Sequence, residues 1–254
     1  MSTSPAVTIS SLLDNELKRT DNGFRDYSRF HPSEFHECMR KIAYRYYGVE
    51  YEDTISPNLQ RIFDNGHYVH DRFGSYFERM GVLFGLWRCA NPLCSELYGE
   101  NSEYGILKPD GCDKCQCEAF TYEEITVCDE THWLKGKVDG VLKIGKDMTV
   151  IDYKSMHSHQ YSQISRPLDK HSIQLKIYLS ILKFDYGILL YENKDSQRIK
   201  VYEVKRDLEY EGKILKRASY LKEVLENKKL PPRQFEEDDN KCKKCIFNKV
   251  CWKK

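Results

Sequence analysis

Two runs that alternate apolar and polar residues, Leu134 to Ile144 and Met148 to Tyr153, flank the short segment Gly145, Lys146 and Asp147. Alternation with a period of two is the pattern of a half-buried strand, and a turn of this length containing glycine makes the two runs a β-hairpin. The same period sorts the charges. Asp152 and Lys154 flank Tyr153 and share one face, while Asp139 stands between Val138 and Gly140 on the neighbouring strand. Two carboxylates on adjacent strands suit a hard divalent cation, which takes oxygen ligands and leaves positions for water and a phosphate. A lysine beside the second carboxylate is placed to orient a water, help deprotonate it, or offset charge on a phosphorane. Taken alone, the residues are read more readily as a surface cross-strand ion pair between Asp139 and Lys154. The remainder of the chain has to decide between the two.

Composition removes several classes. A chain of 254 residues, 40% hydrophobic and 13% aromatic, can bury one large core, or one core and a small module. Forty Lys and Arg stand against 39 Asp and Glu, so affinity for nucleic acid has to come from local patches and not from overall charge. The first twenty residues lack the basic start and apolar core of a signal peptide, and no run of about 18 apolar residues occurs. An intracellular, cytoplasmic location with no membrane partner is expected. The ten cysteines then read as reduced thiols that hold metal, not as disulfides.

Residues 1–31 form an N-terminal extension, polar apart from an amphipathic piece around Leu12, Leu13 and Leu17. A helical part, 32–87, follows. Its first helix is expected from Pro32 to Gly48 with Cys38 inside it, and its second from about Asn58 to Gly85 with Ile62, Val69, Phe73, Phe77 and Met80 on the apolar stripe. Gly66 lies on that stripe and is expected to admit a close backbone neighbour. His70, four residues on, then faces the same side, where it either completes a metal site or sits as a satisfied structural histidine. His67 lies off that face.

Between Arg88 and Phe120, Cys89-x4-Cys94 and Cys112-x2-Cys115 have the spacing of one tetrahedral zinc of the ribbon or treble-clef kind. Cys117 is a spare that can stand in for Cys115, and Cys128 is expected in the core. This inserted module, 88–120, precedes the core segment 121–235. There GVLKIGKD only imitates a P-loop: Asp147 stands where Ser or Thr is needed, and the context is a hairpin. His157 and His159 are left as loop residues. Asp169 is expected to cap a helix from Lys170 to Lys183 on which Gln174 and Tyr178 share a face. Strands over Gly187–Glu192 and Ile199–Lys205 and a helix from Leu208 to Asn227 complete this part. In the last segment, 236–254, Cys242-x2-Cys245-x5-Cys251 supplies three thiols, and Cys38 is the natural fourth of a zinc or iron-sulfur site. The six lysines from Lys241 to Lys254 form a basic patch suited to nucleic acid, or a solvated tail.

Taken in order, Cys38, Gly66-x3-His70, Asp139, Asp152-x-Lys154, Gln174-x3-Tyr178 and Cys242-x2-Cys245-x5-Cys251 resemble the RecB-type branch of the PD-(D/E)XK nucleases. Within it the chain is most similar to the iron-sulfur exonucleases, which include the CRISPR-associated RecB-like exonucleases, the AddB nuclease domain and phage relatives. The resemblance runs from about Ser33 to Trp252. It implies an α/β fold with a central mixed sheet flanked by helices, and magnesium or manganese held by His70, Asp139, Asp152 and the backbone carbonyl of Tyr153. It further implies Lys154 as the catalytic lysine, Gln174 and Tyr178 as its support and a DNA contact, and a [4Fe-4S] cluster on Cys38, Cys242, Cys245 and Cys251. Asp152 replaces the glutamate of many members and keeps the carboxylate. The zinc-like module of Cys89, Cys94, Cys112 and Cys115 is an addition to the compact members.

The function expected from these residues is a metal-dependent DNA exonuclease, acting from single-stranded ends in recombination, repair, replication or spacer processing. A catalytically silent DNA-binding or scaffolding subunit and a structure-selective endonuclease are the alternatives. The chain shows no motor of its own, so a helicase or recombination partner is expected.

Overall fold

The computed structural model describes residues 5–19, 26–51 and 55–253. Residues 1–4 and 20–25 of the N-terminal extension and Lys254 of the basic patch lie outside the described residues. Three helices come first, α1 (Pro5–Arg19), α2 (Met39–Tyr46) and α3 (Pro57–Arg79). They are followed by strands β1 (Leu83–Phe84), β2 (Leu86–Cys89), β3 (Leu97–Tyr98), β4 (Phe120–Glu123) and β5 (Ile125–Asp129). Then come β6 (Leu134–Val138), β7 (Gly140–Ile144) and β8 (Asp147–Met156), helices α4 (Ser158–Gln163) and α5 (Asp169–Leu182), and β9 (Tyr186–Asn193) and β10 (Ile199–Lys205). The chain closes with α6 (Leu208–Glu226) and the short α7 (Asn240–Lys243) and α8 (Asn248–Cys251).

Five strands make the central sheet, in the order β1-β7-β8-β9-β10. β8 runs parallel to β9 and the other neighbours are antiparallel, so the sheet is mixed. A parallel pair needs a crossover, which α4 and α5 supply. β8 is buried without interruption from Thr149 to Tyr153, the sign of a central strand covered on both faces. On one face Leu175 and Leu179 of α5 pack with Val150, Leu189 and Tyr191; on the other Val69 and Phe73 of α3 pack with Ile151, Tyr153 and Leu190. The result is a three-layer α/β/α sandwich. Alternation along β8 therefore aims Asp152 and Lys154 at the α5 layer and Tyr153 at the α3 layer. A third cluster joins Ile42 and Ala43 of α2 to Ile214, Ala218 and Leu221 of α6. The segment around the cysteines forms its own sheet, β3-β2-β4, and β5-β6 is a separate pair.

Several expectations need correction. The first strand of the hairpin is not continuous: it breaks at Asp139 because β6 pairs with β5 whereas β7 pairs with β8. The hairpin loop is two residues, with Gly145 at φ +65, as a two-residue loop opening on glycine requires. A short 3-10 turn, Pro32–Glu34, replaces the start of the first helix, and Cys38 sits at the N-cap of α2 instead of inside a helix. α3 stops at Arg79, where Gly81 at φ +67 and the bond from Val82 N–H to the Phe77 carbonyl turn the chain out of the helix. A Cβ at Gly66 would meet nothing within 4 Å, so no backbone approaches there. Leu168, not Asp169, is the N-cap of α5, and Asp169 pairs with Arg166. Cys128 is exposed, because it points away from the buried face of β5 set by Ile125 and Val127. The amphipathic N-terminal piece is a helix that reaches α3 through an ion pair of Asp14 with Arg61 at 2.9 Å. Among the described residues no helix is long and apolar enough to cross a membrane.

Leu175 is fully buried between α5 and β9, and a Cβ on Gly187 would lie only 3.0 Å from it. Leu175→Ala should lower stability by about 2–5 kcal/mol, read as a shift of the urea midpoint followed by circular dichroism.

Candidate active site

The break at Asp139 makes the site. Continuing the β7–β8 register would set Val138 opposite Tyr153, but Val138 pairs with Ile125. The Tyr153 N–H donates instead to Asp139 Oδ2 at 2.7 Å. Asp139 Oδ1 is thereby turned toward His70 of α3, whose Nδ1 lies 3.5 Å away. Glu124, at the junction of β4 and β5, completes a group in which one ligand atom from each of His70, Glu124 and Asp139 lies within 4.8 Å of the others. The rings of Phe73 and Phe77 stack on Tyr153, and His70 meets that ring edge-on, so α3 carries the histidine on a rigid aromatic base.

Asp152 and Lys154 stand beside this group on β8. Asp152 is fully buried, and its Oδ2 meets Lys154 Nζ at 2.6 Å. Neither carboxylate oxygen has a hydrogen bond of good geometry otherwise, an unusual state for a buried anion. Burial pushes the carboxyls of Asp139 and Asp152 up to about 6, against the pull of Lys154. Burial pushes Glu124 up as well. Burial and then the Lys154 charge push His70 down, so its ring is neutral, the state in which an imidazole binds metal. For Lys154 burial acts downward but Asp152 and Asp139 outweigh it, and its ammonium is held above the ordinary value. Three raised carboxyls around a neutral histidine are the electrostatic counterpart of a hard-cation site.

Gln174 and Tyr178 meet on α5, with Nε2 to Oη at 3.4 Å. The Tyr178 hydroxyl donates to the Lys137 carbonyl at 2.7 Å, two residues before Asp139. The pair is thus tied to the strand leading into the site, and no hydrogen bond from either reaches Lys154. His157 caps α4 and stacks on His159. Glu124 escaped the sequence reading. Glu123 and Glu124 are adjacent carboxylates, and only the end of the β4 ladder separates them: Glu123 is still paired and reaches Arg88, while Glu124 lies beyond the last pair.

The cysteines form two sets of different width. Cys89, Cys94, Cys112 and Cys115 converge, with Sγ atoms 3.5 Å apart for Cys89 and Cys115 and 3.6 Å for Cys94 and Cys112. A tetrahedral ion bound at about 2.3 Å to sulfur needs S–S separations just under about 4 Å. Cys117 turns to the Ala119 carbonyl and stays out of the set. Cys38, Cys242, Cys245 and Cys251 instead line one cavity of about 350 Å³ together with Arg40, Tyr44 and Trp252. Among the described residues these four are not drawn within 4.8 Å of one another. Thiolate sets of these kinds suit zinc or an iron-sulfur cluster, and the carboxylate group with His70 suits a divalent cation.

The PD-(D/E)XK nuclease superfamily model matches residues 35–252. The CRISPR-associated exonuclease Cas4 of Saccharolobus solfataricus is 31% identical over 148 residues, which are 58% of this chain and 64% of that protein. The chain therefore spans somewhat less than two thirds of that relative. The crystal structure of an alkaline exonuclease from Laribacter hongkongensis aligns with 80% of this chain and 90% of its own at 10% identity, with a TM-score of 0.51. That likeness is one of fold.

Manganese at about 100 times its Kd should stabilise the protein by about 2.7 kcal/mol, seen as a rise in Tm by scanning fluorimetry. In Asp139→Ala the rise should vanish.

Proposed function

Because the chain belongs to the PD-(D/E)XK nuclease superfamily, we propose that it is a metal-dependent DNA exonuclease that hydrolyses phosphodiester bonds from single-stranded ends. The observation that carries the reading is the buried, poorly hydrogen-bonded Asp152 carboxylate paired with Lys154 beside the converging His70, Glu124 and Asp139. The similarity to the Cas4 exonuclease supports DNA as the substrate.

His70, Asp139 and Asp152, with the Tyr153 carbonyl and Glu124, are the residues that would hold magnesium or manganese. Their hard oxygen and imidazole donors fit those ions. When bound, such an ion supplies Lewis acidity for a phosphoryl oxygen and lowers the pKa of water. Hydrolysis adds water across one P–O bond and releases a phosphate and a hydroxyl. Lys154 presents its ammonium to the attacking water or to a non-bridging oxygen, where negative charge grows as the P–O bond breaks. Asp139 stays oriented through the Tyr153 N–H, and Tyr178 and Gln174 hold the strand that delivers it. Between the α3 and α5 layers Asp152 is fully buried, while the Lys154 ammonium beside it stays partly open to solvent.

Cys38, Cys242, Cys245 and Cys251 are assigned a [4Fe-4S] cluster and the narrower set Cys89, Cys94, Cys112 and Cys115 a zinc ion. The Sγ separations of the narrower set suit a single tetrahedral ion, and the other four thiols line one cavity of about 350 Å³. The C-terminal segment is anchored apart from any cluster, since Phe247 is fully buried against Tyr44 and Tyr51.

End-labelled linear single-stranded DNA should be digested with magnesium or manganese while circular single-stranded DNA survives. Lys154→Ala should reduce the rate by about 100-fold or more with the far-ultraviolet spectrum unchanged. Cutting of the circle would replace the exonuclease with an endonuclease, and undiminished cleavage by Lys154→Ala would remove the lysine from the mechanism. Cys245→Ser should lose the visible absorption and the iron of anaerobically purified protein and keep the zinc.

A further inference from the structure

The four-cysteine site of Cys89, Cys94, Cys112 and Cys115 and the candidate catalytic site lie at the two ends of one short ladder. β2 and β4 pair from Leu86 opposite Glu123 to Cys89 opposite Phe120. Three residue steps of about 3.4 Å separate the ends by about 10 Å. At one end Cys89 enters the thiol set; at the other the chain passes from Glu123 straight into Glu124 of the group with His70 and Asp139.

Gly85 is the joint between the two sheets, since β1 before it belongs to the central sheet and β2 after it to the cysteine sheet. The ring of Tyr122 lies directly on it, so close that a Cβ at Gly85 would fall 2.1 Å from the ring. From the other side Gly105 leaves no more room, as its own Cβ would come within 2.3 Å of the Gly85 carbonyl oxygen. Gly85 and Ile106 exchange backbone hydrogen bonds of 3.0 and 2.9 Å. Trp87, fully buried, donates from Nε1 to the Ile106 carbonyl at 3.0 Å and meets the Tyr122 ring edge-on at 5.3 Å. The clamped ring ends in a hydroxyl that donates to the backbone oxygen of Asp139 at 3.3 Å. One side chain thus links the cysteine sheet to the bend that carries a metal-binding carboxylate. Two residues later, just past the end of β4, the chain delivers the second carboxylate, Glu124.

We infer that Tyr122 is a positioning residue for the catalytic cation, and that occupancy of the four-cysteine site sets the affinity of the catalytic site by fixing the β2–β4 ladder. The inference rests on the metal-site reading of His70, Glu124, Asp139 and Asp152 proposed above. Ligand orientation by outer groups changes metal affinity by about 10–100-fold, and a single hydrogen bond to a ligand's backbone by about fivefold. The coupling runs through bonded atoms: metal at the thiols holds the far end of the ladder, the ladder holds Tyr122 over Gly85, and Tyr122 and Glu124 meet Asp139.

Manganese binding to the full chain, measured by isothermal titration calorimetry, tests this together with Tm and zinc content. Tyr122→Phe keeps the ring and removes the hydroxyl; it should weaken manganese binding about fivefold with zinc unchanged and Tm lowered by only a few degrees. Cys94→Ser should lose zinc and weaken manganese binding about tenfold or more. Unchanged affinity in Tyr122→Phe overturns the role of Tyr122, and parental affinity in a folded, zinc-free Cys94→Ser protein overturns the coupling. If Cys94→Ser does not fold, manganese affinity of the parent after selective zinc removal and buffer exchange replaces it, with the same two outcomes. A parent that binds no manganese would instead defeat the metal-site reading beneath the inference.

Discussion

The hydrogen bond from the Tyr153 N–H to the Asp139 carboxylate holds the arrangement together. β8 is central and buried, so an N–H left unpaired there would cost about 1–3 kcal/mol. The usual remedy is a continuous neighbouring strand. Here the neighbour leaves at Asp139 so that β6 can pair with β5, and a side chain replaces the missing backbone partner. The substitution fixes a carboxylate at the edge of the gap with its second oxygen toward His70. The same break that interrupts the ladder therefore fixes the first of the proposed ligands, Asp139, beside His70.

Charge burial is the second constraint. An anion and a cation removed from water each carry a desolvation cost of several kcal/mol, which a single contact repays only with good geometry. Asp152 and Lys154 are adjacent in the pleat, so β8 brings them together with no loss of side-chain reach. What remains unfavourable is visible in the carboxyls of Asp139 and Asp152, both raised to about 6. That rise comes first from burial, and the divalent cation proposed for the site would supply the counter-charge that the buried carboxyls lack. Tight packing of Leu175 and Phe73 on opposite faces keeps the charged residues from moving apart to find water.

Much of this was legible in the sequence because the informative residues sit in regular elements. The alternation around Tyr153 placed Asp152 and Lys154 on one face, and the spacing of Gln174 and Tyr178 joined them on α5. The four-cysteine convergence followed from knuckle spacing alone. The misses share a cause: each depended on where an element stops. A strand that changes sheets at Asp139, a helix that begins after Cys38 and not before it, and a ladder that ends between Glu123 and Glu124 are decided by tertiary pairing that local periodicity does not encode. Cys128 went astray for a related reason, since period 2 fixes which residues share a face but not which face is covered.

The two cysteine sets show why sequence distance is a poor guide to what a metal does. A clip from Cys38 to the C-terminal thiols spans most of the chain, whereas Cys89 to Cys115 spans a single module. Loop-closure entropy rises by only about 0.6 kcal/mol for each doubling of loop length, so the long clip gains little from its length. Phe247 already fastens the C-terminal segment to α2 through Tyr44. What the proposed long clip would add is placement: its four thiols line one cavity in which Arg40 and Lys41 of α2 face Lys241 and Lys244 of the last segment. The short clip lies beside an apolar anchor of its own, the fully buried Trp87 with Tyr98, Phe120 and Tyr122 packed around it, whereas Leu93 at the tip of the knuckle is almost wholly exposed. The metal proposed for the four thiols would add to that anchor at the far end of the β2–β4 ladder, whose near end leads straight into Glu124.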